Sequence, residues 1–442
     1  YLLSKRLADN PWLQNGAGVV DLDPEVRKEY AARQARGGVA WRAVVVSHHA
    51  PLAELLAEHF ADASRGASDA TQFVFYASCY LCAETPACIK WHQPSIADRA
   101  CDLFHDESSF DDYHAIAEHI ASRERGAVES RRLVFMCFGL PICHFLFAGT
   151  ELGVPRMQVL CMNPLRSVPA ALAGTILVDL TRRARAGDMI LSTNAVTSAL
   201  LAYHAGEERD AILAPVVTLF SRGIHERGMR SEWSATSEKV FLALCPFLAA
   251  SDIMWTFLSF LKRQLRGLEV VVQGKSWSFA KDSDVRSMLE HRFAIYIPEV
   301  PYKNYFNDLI AMLMPTFVPT VGFVAHLWPE VKHTDKWEVY DGWFDRHIAR
   351  VRLSPPKNEE VDDLAPFDLS KNGVAKVQHW IPLADYFHFP GVLQFNGLAD
   401  LRARASSEDL EVARAAMKRH YEERRSIALS HFSQLGGRVG IS

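Results

Sequence analysis

A short polar segment ahead of an apolar helix carries residue types that could hold a phosphorylated ligand. Tyr302, Lys303 and Asn304 follow an apolar run and stand at the expected start of the helix. Free backbone N–H groups and the helix dipole at such a start favour a phosphate, and Lys303 adds a positive charge. Asp308 follows about one turn later, where a carboxylate could accept hydrogen bonds from both hydroxyls of a ribose. The alternative is an ordinary solvated acid in the first turns of a helix, where acids are common.

Histidines that follow predicted strands offer a general base. His48 and His49 come at the end of the apolar run 40–49. An imidazole with a pKa of about 6.5 exchanges its proton at neutral pH, so it can deprotonate an acceptor hydroxyl. We prefer His49 to His48, and His144 is a third candidate. The alternative for each is a structural histidine at the end of a strand.

The elements that must position these residues alternate between strand and helix. The apolar runs are continuous instead of alternating with polar residues, which predicts a parallel sheet covered by helices on both faces. The predicted strands include residues 40–49, 71–81, 132–138 and 157–162, then 239–248, 267–275, 292–300, 316–319 and 392–395.

A polar stretch at 221–239 separates two such series and predicts two domains. We therefore expect an N-terminal Rossmann-like domain at 1–222 and a C-terminal Rossmann-like domain at 223–442. Ligands of open α/β sheets bind beyond the carboxyl ends of the strands, which selects both candidate segments. Residues 326–380 lack a regular pattern and predict an insertion, whereas 406–432 predict a long amphipathic helix with Ser and Asp at its start.

The bulk composition excludes several classes of protein. The chain has 442 residues, of which 49% are hydrophobic and 23% charged, as in globular proteins. A net charge of -4 argues against a nucleic-acid-binding surface or a polybasic membrane surface. No apolar run reaches the roughly 18 residues of a membrane helix. Because the chain begins at Tyr1 without Met, an anchor or signal segment could have been removed.

On residues 300–319 and 384–425 the sequence resembles the nucleotide-sugar glycosyltransferases of the two-domain GT-B fold. Their C-terminal domain carries the pattern E-A-x-A-x-G-x-P-V-V, and Asp308 and Pro315 have the spacing of its acid and its proline. Asp replaces the usual Glu, and the Gly before the proline is absent. The stretch that begins ADYFHFPGVLQF follows the order in which these enzymes end, with a short strand, a helix and a long helix that crosses back to the first domain.

The resemblance implies roles for the candidate residues. In such enzymes the acid of the pattern binds the ribose of the donor, which is the role of Asp308 here, and the preceding loop of Tyr302, Lys303 and Asn304 holds the diphosphate. Lys275 is placed to neutralise a donor phosphate, although a solvated lysine is an equal alternative. The histidines after the first strand stand where several inverting members place their base. The usual Arg and Lys are missing from CPFLAASD, so the stereochemistry stays open.

Metal and thiol chemistry receive less support. Glycosyltransferases of the other major fold hold a metal with a D-x-D string, and such strings occur at 21–23 and 282–284. The first precedes the sheet and the second begins a helix, where Asp and Ser act as caps, so we interpret both as structural. Of the clustered cysteines only Cys79 and Cys82 have the close spacing of a zinc pair, which favours core thiols or disulfides over a zinc site.

Together these features predict an α/β protein of GT-B-like architecture, with two Rossmann-like domains facing a central cleft and a C-terminal helix crossing back. The predicted activity is the transfer of a sugar from a nucleoside-diphosphate sugar, most commonly UDP-linked, to a hydroxyl acceptor, with no metal cofactor. A catalytically degenerate sugar- or partner-binding module and a nucleotide-sugar epimerase are the alternatives. We expect no nucleic-acid partner, contact with a membrane only through a removed N-terminal anchor, and a Golgi or ER lumen location in preference to the cytoplasm.

Overall fold

The computed structural model describes two parallel sheets and the helices that cover them. The described residues are 41–47, 56, 59–60, 63, 71–77, 117–118, 120–122, 124–126, 133–138, 142–148, 154–160, 170–205, 233–243, 252–272, 282–298, 304–332 and 373–438. No helix within these ranges has both the length and the apolar character needed to span a membrane.

The first sheet is built from five parallel strands. Its strands are β1 (Trp41–Ser47), β2 (Thr71–Ala77), β3 (Leu133–Phe138), β4 (Arg156–Leu160) and β5 (Met189–Ser192). The helices that follow them are α1 (Ile142–Ala148), α2 (Ala170–Arg185) and α3 (Ala195–Ala205). β1 lies between β2 and β3, so Val44 has Val74 on one side and Phe135 on the other. Because both faces of such a sheet are covered, its strands consist of continuous apolar runs, and every residue of β3 is buried.

The second sheet is also parallel and five-stranded. Its strands are β6 (Lys239–Ala243), β7 (Glu269–Val272), β8 (Phe293–Tyr296), β9 (Thr316–Pro319) and β10 (Val392–Phe395). The helices of this half are α4 (Asp252–Gln264), α5 (Asp282–Leu289), α6 (Asn304–Ala311), α7 (Val321–Lys332), α8 (Gly373–Trp380), a 3₁₀ turn (Ile381–Leu383), α9 (Asp385–His388), α10 (Leu398–Ser407) and α11 (Leu410–Arg438).

Both sheets have the same strand order. It is β2-β1-β3-β4-β5 in the first sheet and, read in the same direction, β7-β6-β8-β9-β10 in the second. Each is therefore a doubly wound sheet of order 2-1-3-4-5, in which the chain reverses direction between the first and third strands. Ligands of such sheets bind at this switch point, beyond the carboxyl ends of the strands. In the first sheet β1 ends at Ser47, directly before His48, and in the second α6 begins at Asn304 after β8.

The long helix α11 joins the two halves. Asp409 caps its start, because its Oδ1 accepts hydrogen bonds from the backbone N–H groups of Glu411 and Val412 at 3.0 and 3.1 Å. At its far end the Phe432 ring lies 5.5 Å from the ring of His59, which belongs to the helix between β1 and β2. Arg438 reaches further, donating to the carbonyl oxygen of Gly187 just ahead of β5.

A glycine allows α11 to pass close to the second sheet. Gly391 precedes β10 with φ at 89°, and a Cβ there would stand 2.2 Å from the carbonyl oxygen of Ala413 on α11. Only a residue without a side chain fits this contact and this backbone conformation. A second contact between the halves brings the Tyr203 ring of α3 to 5.7 Å from the Trp380 ring of α8.

Several predicted boundaries differ from the structure. The predicted insertion at 326–380 overlaps α7 and α8, and its middle, 333–372, lies outside the described residues. Pro329 lies inside α7 although proline usually ends a helix. The serines expected at the start of the last helix belong to the end of α10 instead. The domain boundary at residues 222 and 223 stays a prediction.

Candidate functional site

The segment between β8 and β9 forms the core of the candidate site. β8 is buried along its whole length, and Ile297 and Pro298 continue it into the interior. α6 then packs into the interior through apolar side chains, with Phe306 and Leu309 nearly inaccessible to water. Its start lies just beyond the carboxyl end of β8, at the switch point of the second sheet. The backbone N–H groups of its first turn are thus placed at the edge where ligands of such sheets bind.

The end of α6 turns through a left-handed residue that is not glycine. Leu313 adopts a left-handed φ of 56° at the position where the pattern has Gly. Its N–H donates to Ile310 O at 2.9 Å, and the N–H of Met314 donates to Leu309 O at 3.1 Å. These are the two hydrogen bonds of a Schellman helix end. α6 thus ends in a left-handed turn at a buried leucine.

Asp308 is the acid that this helix holds near the ligand-binding edge. Its side chain is half-buried, and burial raises the pKa of the carboxyl from an ordinary 3.8 to about 8. Within the described part of the chain no hydrogen-bond donor or cation offsets that burial. A desolvated carboxyl without a partner costs stability, so such a group marks a place where a ligand can supply the missing hydrogen bonds.

An aromatic cluster lies beside α6 and connects it to α9. The ring of Phe306 packs against Tyr296 at 5.6 Å, Tyr386 at 5.7 Å and Phe389 at 6.4 Å, mostly edge to face. Tyr296 is the last residue of β8, so the cluster lies at the carboxyl end of that strand. Burial raises the pKa of the Tyr386 hydroxyl, which keeps it protonated at all physiological pH values.

Asp385 is a second desolvated acid in this region, and the sequence analysis did not identify it. It is the first residue of α9, and burial raises its pKa to about 7 although the nearby Arg424 on α11 opposes the shift. Arg424 also donates from Nε to Nε2 of His420 at 3.3 Å. Burial, followed by the charge of Arg424, lowers the pKa of His420, whose ring packs on Phe389 at 4.5 Å. α11 thus presents a cation and a neutral imidazole to α9.

His144, the third candidate base, belongs to a buried ionic network in the first half. Its Nδ1 lies 3.0 Å from Oδ2 of Asp179 on α2. The same carboxylate accepts from Nε of Arg183 at 2.9 Å and from Nη2 of Arg182 at 2.7 Å. Although burial opposes ionisation, these partners together lower the pKa of Asp179 to about 2, with the hydrogen bond to His144 the largest favourable contribution.

The rest of this network extends away from the ligand-binding edge. Arg183 donates from Nη2 to Gln158 of β4 at 2.6 Å. Arg156, the first residue of β4, donates to Asp188, which precedes β5, at 3.0 Å. Both arginines stack over the ring of Phe147. His144 itself lies in the first turn of α1, after the carboxyl end of β3. Its ring nevertheless bonds to Asp179, whose other partners extend to the amino ends of β4 and β5, and this completed network favours a structural role for His144.

A disulfide lies at the switch point of the first sheet. It joins Cys137 in β3 to Cys143 in α1, with their Cα atoms 5.7 Å apart. β1 and β3 are neighbours in register, with Ser47 beside Phe138, so the segment that the disulfide closes follows β3 next to the end of β1. The cysteine cluster considered in the sequence analysis, at 79–101, lies outside the described residues.

The structure describes part of the predicted site. His48, His49, Lys275, Tyr302 and Lys303 lie outside the described residues. Asn304 begins α6 as predicted, and Asp308 lies in the same helix. The second D-x-D string, 282–284, forms the start of α5, as expected for capping residues.

Comparisons with known proteins add little to this geometry. No protein-family model matches the chain, and no curated protein matches it. Among solved structures the chain is similar to a crystal structure described as the glycotransferase of kitacinnamycin, with 12% identity and a TM-score of 0.37 over 90% of this chain and 95% of that chain. A likeness of this degree carries no weight for function, which must be inferred from the chain's own residues.

Proposed function

We propose that this chain is a glycosyltransferase that moves a sugar from a nucleoside-diphosphate sugar to a hydroxyl acceptor. The observation that carries the proposal is the Asp308 carboxyl, half-buried and without a partner in the described part of the chain, on the helix that begins at the switch point of the second sheet. Vicinal hydroxyls of a ribose would donate the two hydrogen bonds that the carboxyl lacks. They would thereby favour its ionised form.

The donor diphosphate would bind ahead of this helix. We assign it to the N-terminal turn at Asn304 and to Tyr302 and Lys303, with Lys275 as a further cation. The helix dipole and Lys303 would offset the charge that the leaving diphosphate gains, so no metal is required. Because uridine is the commonest base in such donors, UDP is the first nucleotide to test.

The acceptor would bind on the first half, beside the end of β1. His49, or else His48, would take the proton from the acceptor hydroxyl as its oxygen attacks the anomeric carbon. The bond from that carbon to the diphosphate then breaks, and the nucleoside diphosphate leaves. The Cys137–Cys143 disulfide beside this strand end supports our proposal of an oxidising compartment such as the Golgi or ER lumen.

A thermal-shift assay against nucleoside diphosphates and nucleotide sugars tests the donor site. A ligand at a hundred times its Kd stabilises the native state by about 2.7 kcal/mol, which corresponds to roughly 3 °C for a chain of this size. We expect one nucleotide series to raise the melting temperature and Asp308→Ala to abolish that rise. Glu290→Ala, just ahead of β8, is the control, because its exposed carboxylate pairs with Lys239 at 2.9 Å at the amino ends of the strands, opposite the ligand-binding edge. Absence of any shift in wild type would contradict the proposal.

Turnover separates an enzyme from a binding module. We expect slow release of nucleoside diphosphate from the stabilising donor, and His49→Ala to lower kcat about 10²–10⁴-fold while the thermal shift persists. His144→Ala should instead lower the melting temperature without changing the specific activity of the folded protein. Donor binding without any release of diphosphate would support a catalytically degenerate sugar-binding module.

A further inference from the structure

Exposed aromatic side chains are concentrated on one helix of the second half. The large apolar residues exposed among the described ranges are Val178, Trp255, Phe260, Val412 and Ile427. The two aromatic ones, Trp255 at 59% exposure and Phe260 at 50%, both belong to α4. Leu258 and Leu261 of the same helix are buried in the core. The exposed aromatics are therefore additional to the apolar residues that the fold requires.

Three exposed cations on this helix and just after it pair with no acid among the described residues. Lys262 and Arg263 are exposed in the last turn of α4, and Arg266 is exposed just after it. Within the described residues none of the three forms an ion pair, and Arg263 lies over the Phe260 ring at 5.7 Å. The helix α10 packs against α4 and adds Arg402, which is also exposed and forms no ion pair in that part of the chain.

Other exposed apolar residues have different surroundings. Val412 and Ile427 stand singly on α11 among charges of both signs, such as the pair of Lys418 with Glu422 at 4.0 Å. Isolated exposed apolar residues of this kind are normal on a protein surface. A group of residues on and just after α4 differs from these isolated residues, because its aromatic side chains lie beside cations that form no ion pair within the described ranges. We call this group the α4 patch; it consists of Trp255, Phe260, Lys262, Arg263 and Arg266.

We propose that the α4 patch docks on the surface of a membrane that contains anionic phospholipids. Tryptophan is favoured at the boundary between headgroups and acyl chains, where both its ring and its polar N–H are accommodated. Phenylalanine adds apolar area that inserts below the headgroups. Long cationic side chains beside them attract anionic headgroups. Several exposed cations that form no ion pair among the described residues can all contact an extended negative surface at once. A single acidic side chain on a folded partner would pair with only one of them. The net charge of the chain is -4, so the whole-chain composition hides this local cationic surface.

The surface is independent of the proposed transferase activity. It lies on the outer side of α4, whereas the candidate donor site lies on α6 at the switch point of the sheet. Vesicle binding needs neither nucleotide nor turnover, so failure of one proposal leaves the other standing.

Sedimentation with vesicles tests the proposal on the full chain. We expect wild type to bind vesicles of equal phosphatidylcholine and phosphatidylserine, to bind phosphatidylcholine alone far less, and to lose affinity as salt increases. Lys262→Ala with Arg263→Ala should weaken binding about 25-fold, because each cation near an anionic surface contributes about fivefold. The matched control is Lys418→Ala with Arg419→Ala, an exposed Lys-Arg pair on α11 whose loss changes the net charge equally and should leave binding unchanged.

The aromatic residues are tested separately. Trp255→Ser with Phe260→Ser should weaken vesicle binding about tenfold or more, whereas Val412→Ser with Ile427→Ser should not. All four side chains are exposed, so melting temperatures should stay close to wild type. Wild-type protein that ignores anionic vesicles would overturn the proposal, and so would equal losses in the α4 and α11 pairs. A concentration-dependent dimer that Trp255→Ser with Phe260→Ser abolishes, without vesicle binding, would assign the patch to a second copy of the chain instead.

Discussion

Asp179 in the first half and Asp308 in the second are both desolvated, yet their surroundings shift the pKa values of the two carboxyls in opposite directions. Asp179 accepts hydrogen bonds from two arginines and pairs with a histidine, and its pKa falls to about 2. Asp308 has no such partner in the described part of the chain, and its pKa rises to about 8. One acid is a completed part of the fold, whereas the other leaves hydrogen-bonding capacity unused beside the ligand-binding edge.

The difference separates a structural charge from a candidate binding group. A buried carboxylate with complete hydrogen bonding contributes to stability, and removing it leaves its cations buried without compensation. A desolvated carboxyl without partners lowers stability until a ligand satisfies it, so replacing it should stabilise the free protein. Stability measurements on the two acids should therefore change with opposite sign.

The largest expected effect is at the completed network. Asp179→Asn should lower the free energy of unfolding by about 3–5 kcal/mol at pH 7, because Arg183 is buried and would keep only the more distant Asp188 as an acidic partner, at 3.9 Å. Chemical denaturation measures this loss. The pKa of Asp179 is below its unfolded value of 3.8, so about 2 kcal/mol of stability present above pH 4 should be lost as the pH falls toward 2.

Asp188→Asn is the control within the same network. Burial raises the pKa of Asp188 despite its two arginine partners, so its ionised form gains little net stabilisation. We expect a smaller loss than for Asp179→Asn. An unfolding free energy for Asp179→Asn within about 1 kcal/mol of wild type would contradict the assigned role of the network.

The second expected effect has the opposite sign. The pKa of Asp308 is about 8 in the folded chain, against 3.8 for the same carboxyl in the unfolded chain. Between pH 3.8 and pH 8 the folded chain therefore holds a proton that the unfolded chain has lost, so wild type loses stability as the pH rises through this range. Asp308→Asn carries no such proton. It should match wild type near pH 4 and exceed it by about 2 kcal/mol above pH 8, a value reduced because the half-buried carboxyl keeps some contact with water.

This variant also tests the link between stability and function. Asp308→Asn should be more stable than wild type without ligand and yet gain less from the nucleotide that stabilises wild type. Asn307→Ala, next in the sequence and without a titrating group, should show a stability difference that does not change with pH. If the free energies of unfolding of Asp308→Asn and wild type differ by the same amount at pH 4 and pH 8, Asp308 is not desolvated in the folded chain.

The sequence predicted the strands and the helix that carries Asp308 better than it predicted the surroundings of that acid. Continuous apolar runs such as Phe293–Tyr296 can form only buried strands between polar turns, so their locations could be inferred without a structure. The parallel arrangement followed from their alternation with helices. The spacing of Asp308 and Pro315 indicated the helix that begins at the switch point. Strand order, which places that helix at the switch, depends on pairing between distant segments and has no local signal.

The departures are equally physical. The glycine of the pattern is absent, and Leu313 adopts the left-handed conformation in its place because burial of its side chain offsets a backbone cost of about 1 kcal/mol. Asp179 and Arg183 have helical spacing that sequence alone could show, whereas their contact with His144 joins residues 35 positions apart. The segment that contains Asp385 predicted only a strand, a helix and a long helix. Nothing in the sequence signalled that aromatic neighbours would desolvate this acid.

The smallest expected effect concerns Asp385, which is intermediate between the other two acids. Burial raises its pKa to about 7 and Arg424 opposes the shift, so its ionised form is partly stabilised. Asp385→Asn should therefore raise stability above pH 7 by about 1 kcal/mol, less than Asp308→Asn. Arg424→Gln should lower stability by about 0.5–1 kcal/mol in wild type at pH 8.

A double-mutant cycle isolates this interaction, because Arg424→Gln also removes the hydrogen bond to His420. In the Asp385→Asn background only that second loss remains, so the cost of Arg424→Gln should shrink. The coupling should be largest at pH 8, where Asp385 is ionised in both folded and unfolded chains, and should vanish near pH 4. If Arg424→Gln lowers the free energy of unfolding equally in both backgrounds, Arg424 does not interact with the charge of Asp385. The two acids of the second half would then be alike in having no cationic partner, and both would contrast fully with Asp179.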